Sequence, residues 1–131
     1  MRDLKEEKFL QVPLHIVVVD DEELVRQVIE DLLIGEGHTV QACSSGKEAI
    51  EYLSRNRADV LFADLAMPEM RGVKLIEEIL HRKLLPIIAV TGLSFESPDV
   101  HWVTGRHIFV LFKPFDGASL RWALSTLLTE A

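Results

Sequence analysis

The chain of 131 residues is 48% hydrophobic, which is enough for one globular domain with a substantial core. Its 21 acidic and 14 basic residues give a formal net charge of −7, a poor balance for holding a phosphate backbone. Direct binding of nucleic acid by this domain is therefore disfavoured.

Residues 1–13 precede the first strand pattern and lack the apolar stretch of a signal peptide. No apolar run approaches the roughly 18 residues needed to span a bilayer. The single cysteine, Cys43, cannot form an internal disulfide, which fits a reducing compartment. We therefore expect an N-terminal extension over residues 1–13, one domain over residues 14–131, a cytoplasmic location and no membrane partner.

The first half of the chain alternates between strand and helix patterns. Residues 14–19 are β-branched and almost entirely apolar, which predicts a central strand, and apolar residues recur at helical spacing over 24–33. A short strand is predicted at 39–43, followed by a helix from about 44 to 54. Residues 60–63 are apolar without alternation, which is typical of a strand buried on both faces.

The second half continues the alternation, with a helix predicted at about 73–81, strands at 86–90 and 108–112, and a last helix from near residue 116. Residues 92–105 contain poor helix formers, and Ser97-Pro98 is their best helix start, so only a short helix is expected there.

Strands that alternate with helices are joined by right-handed crossovers into a parallel sheet covered on both faces. The sequence therefore predicts an α/β fold, a flavodoxin-like (βα)5 three-layer sandwich. Its five-stranded parallel sheet would have the order 2-1-3-4-5.

Polar residues stand where four of these strands end: Asp20 and Asp21, then Asp64, Thr91 and Lys113. The carboxyl ends of parallel strands meet at one edge of the sheet, where ligands bind. Three carboxylates there would favour a hard divalent cation with oxygen ligands, and Mg²⁺ is the ion that we expect. Asp64 can act as a nucleophile, and Lys113 and Thr91 can contact phosphoryl oxygens, so the pattern predicts a phosphoryl-transfer site.

Four segments follow one another in order along the chain: Val17-Val-Val-Asp-Asp21, Asp64-Leu-Ala-Met-Pro-Glu-Met-Arg-Gly72, Val90-Thr-Gly92 and Lys113-Pro-Phe115. Together they resemble the receiver domain of bacterial two-component response regulators, over about residues 14–128.

The resemblance implies that Asp64 accepts a phosphoryl group from a histidine kinase or a phosphotransfer protein. The chain would then catalyse only its own phosphorylation and dephosphorylation, and switch a partner or an output domain. Asp21, Asp64 and the backbone carbonyl of Ala66 would ligate Mg²⁺, with Asp20 helping through water. Thr91 would move toward the phosphoryl group.

The resemblance also implies that Lys113 contacts the phosphoryl group and Asp64, and that the Lys113–Pro114 bond is cis. One departure lies three residues before the lysine, where the family usually has an aromatic residue and this chain has Val110. Phe109 and Phe112 are expected on the opposite face of the strand.

A second departure concerns Ala66 and Leu93, two residues after Asp64 and Thr91. These positions often carry polar groups that aim the hydrolytic water in the family. Since both are apolar here, we expect a long-lived phosphoryl group on Asp64.

The family's signalling surface is built from the fourth helix, the fifth strand and the fifth helix, where Trp102, Val110 and Trp122 fall. An exposed tryptophan pair would mark an interface with an output partner or a second copy, and a packing role is the alternative.

Three other functions remain as alternatives. Val110 leaves open a phosphorylation-independent interaction module of the same fold. An aspartate-nucleophile phosphatase ranks lower, because Ala66 stands where that chemistry needs a second aspartate. A flavodoxin is disfavoured, because the first strand–helix loop is acidic. A purely structural alternative for Asp20 and Asp21 is that they cap the first helix.

Overall fold

Strands and helices alternate along the part of the chain that the computed structural model describes, residues 12–68, 70–82, 85–106 and 108–129. In chain order the elements are β1 His15–Val19, α1 Glu23–Gly35, β2 Thr39–Cys43, α2 Gly46–Arg55, β3 Val60–Asp64, α3 Gly72–Arg82, β4 Ile87–Thr91, α4 Pro98–Thr104, β5 Phe109–Phe112 and α5 Gly117–Thr129.

All strand pairs are parallel, and the sheet order is β2-β1-β3-β4-β5. The predicted flavodoxin-like fold and strand order are therefore confirmed. The expected N-terminal extension falls mainly on residues 1–11, outside the described residues. Within the described ranges no helix is both long and apolar enough to cross a bilayer.

Two apolar cores lie on opposite faces of the sheet, because successive side chains of a strand point to opposite sides. Phe62 of β3 packs with the buried faces of α1 and α5, whereas Leu61 and Ala63 pack with α2, α3 and α4. All five residues of β3 are buried. This double coverage explains why its sequence shows no polar alternation.

Helix α4 has only seven residues, as its weak pattern predicted. The Ser97 hydroxyl accepts a hydrogen bond from the Asp99 N–H at 3.3 Å, and Pro98 occupies the first turn, where a missing N–H costs nothing.

The two phenylalanines of β5 lie on opposite faces of the sheet. Phe109 packs on the α1/α5 side, with its ring 5.4 Å from that of Trp122, while Val110 packs on the other side. The ring of Phe112 lies 6.3 Å from that of Phe95, in the loop before α4. The expectation that Phe112 lies on the face opposite Val110 is wrong, because residues 110 and 112 are two apart and so share a face of the strand.

Cys43 ends β2 with none of its surface exposed. Burial disfavours the thiolate and raises the pKa of Cys43 to about 12, with the Glu48 carboxylate as a smaller cause. The thiol is therefore an uncharged member of the core at physiological pH.

Candidate functional site

Three carboxylates meet at the edge of the sheet where β1 and β3 end. Oxygen atoms of Asp20, Asp21 and Asp64 all lie within 4.8 Å of one another. Asp20 and Asp64 are buried and Asp21 is exposed. Such a set of hard oxygen donors, open to solvent on one side, fits a Mg²⁺ ion.

Asp20 and Asp21 do not cap α1, because the N-cap residue of that helix is Glu22. The Asp20 carboxylate instead accepts a hydrogen bond from the Glu22 N–H at 2.9 Å. In the same way Asp64 accepts from the Ala66 N–H at 3.1 Å, which holds the start of the β3–α3 loop against the nucleophile candidate.

Lys113 brings a positive charge to this cluster from the end of β5. Its Nζ lies 3.2 Å from Asp20, 3.8 Å from Asp64 and 3.8 Å from Glu22. The Lys113–Pro114 peptide bond is cis, as expected. Sequence reasoning missed Glu22, although the run of four acids that starts at Asp20 was the available signal.

Thr91 is the last residue of β4 and is fully buried. Its hydroxyl accepts a hydrogen bond from the Leu93 N–H at 2.8 Å, and its carbonyl accepts one from the Lys113 N–H at 2.7 Å. The hydroxyl is thus tied to the β4–α4 loop, so that a movement of Thr91 would pull on that loop.

Gly72, at the start of α3, lies directly against the backbone of the strand that carries Asp64. A Cβ at this position would stand 2.2 Å from the Asp64 carbonyl oxygen and 2.5 Å from the Leu65 Cα. Only glycine permits this approach of helix to strand.

Burial raises the pKa of Asp64 to about 6. The hydrogen bond from the Ala66 N–H opposes this shift, the negative charge of Asp20 adds to it, and the positive charge of Lys113 opposes it. Without a cation, the ionised carboxylate at neutral pH is therefore an unfavourable group in the folded protein.

We expect Asp64→Asn to raise the stability of the metal-free protein at pH 7.5. The pKa of Asp64 is higher in the folded protein than in the unfolded chain, so folding takes up a proton between about pH 4 and pH 6. Stability is gained as the pH falls through this window and lost as it rises. The uncharged amide removes this loss, which is about 3 kcal/mol, because the pKa rises from 3.8 to about 6 and each pKa unit corresponds to about 1.4 kcal/mol.

Urea unfolding in EDTA at pH 7.5 and at about pH 4 measures the effect. The difference between variant and wild type should become small at the lower pH, where the Asp64 carboxyl of the folded protein is protonated and therefore neutral. Asp31→Asn, on an exposed position of α1, is the matched control. A lower midpoint for Asp64→Asn than for wild type at pH 7.5 would contradict the expectation.

Comparison with known proteins identifies the family. The family described as "Response regulator receiver domain" matches residues 16–125. The response regulator SaeR of Staphylococcus aureus is 33% identical over 117 residues, which are 88% of this chain and 51% of SaeR. The chain thus spans about half the length of that curated relative.

Solved structures of two such proteins superpose on this one. Chemotaxis protein CheY4 of Vibrio cholerae has a TM-score of 0.80 at 26% identity, over 88% of this chain and 99% of CheY4. A response regulator receiver domain protein of Clostridium thermocellum has a TM-score of 0.76 at 26% identity, over 88% of this chain and 94% of its own. The chain therefore belongs to the response regulator receiver domain family.

Proposed function

We propose that this chain is a phosphoacceptor signalling domain. It takes a phosphoryl group from a histidine kinase or a phosphotransfer protein onto Asp64 and thereby switches a partner or an output domain. The observation that carries the proposal is the meeting of the buried Asp64 carboxylate with two further carboxylates and the Lys113 ammonium group at one edge of the sheet.

In the proposed reaction an oxygen of Asp64 forms a bond to phosphorus while the bond from phosphorus to the donor histidine nitrogen breaks. The imidazole leaves with the bonding electron pair. Lys113 offsets negative charge on the phosphoryl oxygens, and the Thr91 hydroxyl donates a hydrogen bond to one of them.

Mg²⁺ would be held by Asp21, Asp64 and the Ala66 carbonyl, with Asp20 acting through water, and would supply charge neutralisation between the carboxylates and the phosphoryl group. The mutual distances and oxygen chemistry of the carboxylates support this assignment. The chain is no enzyme toward other molecules in this proposal, since it acts only on its own aspartate.

The donor protein has an apolar surface to bind beside the site. A groove of about 480 Å³ is lined by Leu24, Val28, Pro114 and Phe115 and reaches Lys113. Leu24 is 82% exposed and Val28 52% exposed. We propose that the donor protein covers this groove, because a donor histidine that reaches Asp64 must bring its own protein surface against the residues around Lys113.

The output surface is proposed on α4, β5 and α5. Trp122 is 61% exposed, and β5 is an edge strand of the sheet that the described residues form. Trp102 is only partly exposed, packs on the core and lies under the Arg106 guanidinium at 3.8 Å, so Trp122 is the stronger candidate of the two. A second copy or an output domain would bind there. We propose a cytoplasmic location, because the single, buried cysteine, Cys43, takes part in no disulfide.

The test is the intact mass of the protein after incubation with acetyl phosphate and Mg²⁺. We expect wild type and the control variant Asp31→Ala to gain one phosphoryl group, whereas Asp64→Ala gains none. EDTA should suppress the gain in wild type. If folded wild type, shown to bind Mg²⁺, gains no phosphoryl group, the proposal fails and the phosphorylation-independent module becomes the better explanation.

A further inference from the structure

Lys113 is shared by three carboxylates that differ in their access to solvent. Asp20 and Asp64 have 1% and 2% of their side chains exposed, whereas Glu22 has 65%. A phosphoryl donor arrives from solvent. Glu22 is therefore the member of this group that an incoming phosphate meets most directly.

The backbone holds Glu22 beside the site. Its N–H donates to the Asp20 carboxylate at 2.9 Å, and its carbonyl accepts from the Arg26 N–H at 3.0 Å as the N-cap of α1. Arg26 also donates from Nη1 to the Asp20 carbonyl at 2.7 Å. These bonds fix the Cα of Glu22, so its carboxylate can move only through its own side-chain torsions.

We propose that Glu22 is a specificity-determining residue that disfavours phosphoryl donors of high negative charge. The proposal rests on the function proposed above. The Glu22 carboxylate forms an ion pair with the Lys113 ammonium at 3.8 Å from Nζ, so it competes electrostatically with phosphoryl oxygens for this positive charge. The same carboxylate repels the incoming phosphate, and the repulsion grows with the charge of the donor.

Two small donors of different charge separate this effect from a general loss of structure. Acetyl phosphate is a dianion at neutral pH: the Asp64 oxygen bonds to phosphorus, the P–O bond breaks and acetate leaves with the electron pair. Phosphoramidate carries a protonated nitrogen and therefore less net negative charge: its P–N bond breaks and ammonia leaves with the electron pair. Mg²⁺ and the protein are the same in both reactions.

The experiment compares wild type, Glu22→Gln and Glu23→Gln, by phosphorylation rate constants from intact mass. Glu23 lies one residue further along α1 and is exposed, so its variant changes the charge of the helix equally. For Glu22→Gln we expect about a fivefold increase with acetyl phosphate and about a twofold increase with phosphoramidate. The increase should shrink in about 0.5 M salt, which screens exposed charges.

A higher ratio of the two rate constants in Glu22→Gln than in Glu23→Gln supports the inference. Equal increases with both donors, or equal ratios in the two variants, overturn it while leaving the proposed function intact. Failure of wild type to gain a phosphoryl group from either donor overturns the proposed function, and this inference with it.

Discussion

Replacing Gly72 by alanine is expected to lower the free energy of unfolding by about 3 kcal/mol or more, a large part of a typical domain's 5–15 kcal/mol. The added Cβ would stand 2.2 Å from the Asp64 carbonyl oxygen. The obstacle is strand backbone, which cannot turn aside as the end of a side chain can. Either α3 moves away from β3, or the strand shifts and carries Asp64 out of position.

Urea unfolding of the variant checks this expectation. Gly35→Ala is the matched control, because a Cβ there meets nothing within 4 Å. Its midpoint should equal or exceed that of wild type. A Gly72→Ala midpoint as high as that of Gly35→Ala would show that the close approach of α3 to β3 is not needed.

We expect phospho-Asp64 to be long-lived and Ala66→Asn together with Leu93→Glu to shorten its half-life by roughly tenfold to a hundredfold. Hydrolysis needs a water molecule aimed at phosphorus, and a positioned polar side chain contributes factors of this size or larger. Neither Ala66 nor Leu93 has a polar side chain that could orient this water. Ala66 is exposed and Leu93 is partly buried. Their backbone N–H groups donate hydrogen bonds to the side chains of Asp64 and Thr91, respectively.

The half-life is measured by intact mass after the small-molecule donor is removed. Leu80→Glu, on a 38%-exposed position of α3 outside the site, is the control and should leave the half-life unchanged. A half-life of seconds in the unmodified chain would refute the expectation. Unchanged decay in the double variant would show that these two positions do not govern water attack.

The core of the site was predictable because parallel strands deliver their last residues to one edge. Asp64 and Lys113 are far apart in the sequence, yet β3, β4 and β5 are neighbours in the sheet, which brings the two side chains to 3.8 Å. The hydrophobic pattern predicts the strands. Right-handed crossovers make these strands parallel, so their carboxyl ends lie at the same edge of the sheet.

Contacts made by long or loop-borne side chains were not predictable in this way. Glu22 reaches Lys113 through its own torsions, and Arg71, in the loop after β3, pairs with Asp99 of α4. The hydrophobic periodicity of the sequence does not predict such side-chain contacts. The strand face on which Phe112 lies could have been predicted from the sequence, since strand alternation places Phe112 on the same face as Val110.

The buried thiol of Cys43 makes this protein a convenient background for labelling chemistry. With its pKa near 12 and its sulfur inside the core, it offers maleimides and spin-label reagents almost no thiolate in the folded state. A cysteine introduced at the position of Phe95 or Trp122 would therefore be the reactive one. Probes can be attached beside either face of β5 without first removing the native cysteine. The core therefore stays intact while the probes report on the surface around β5.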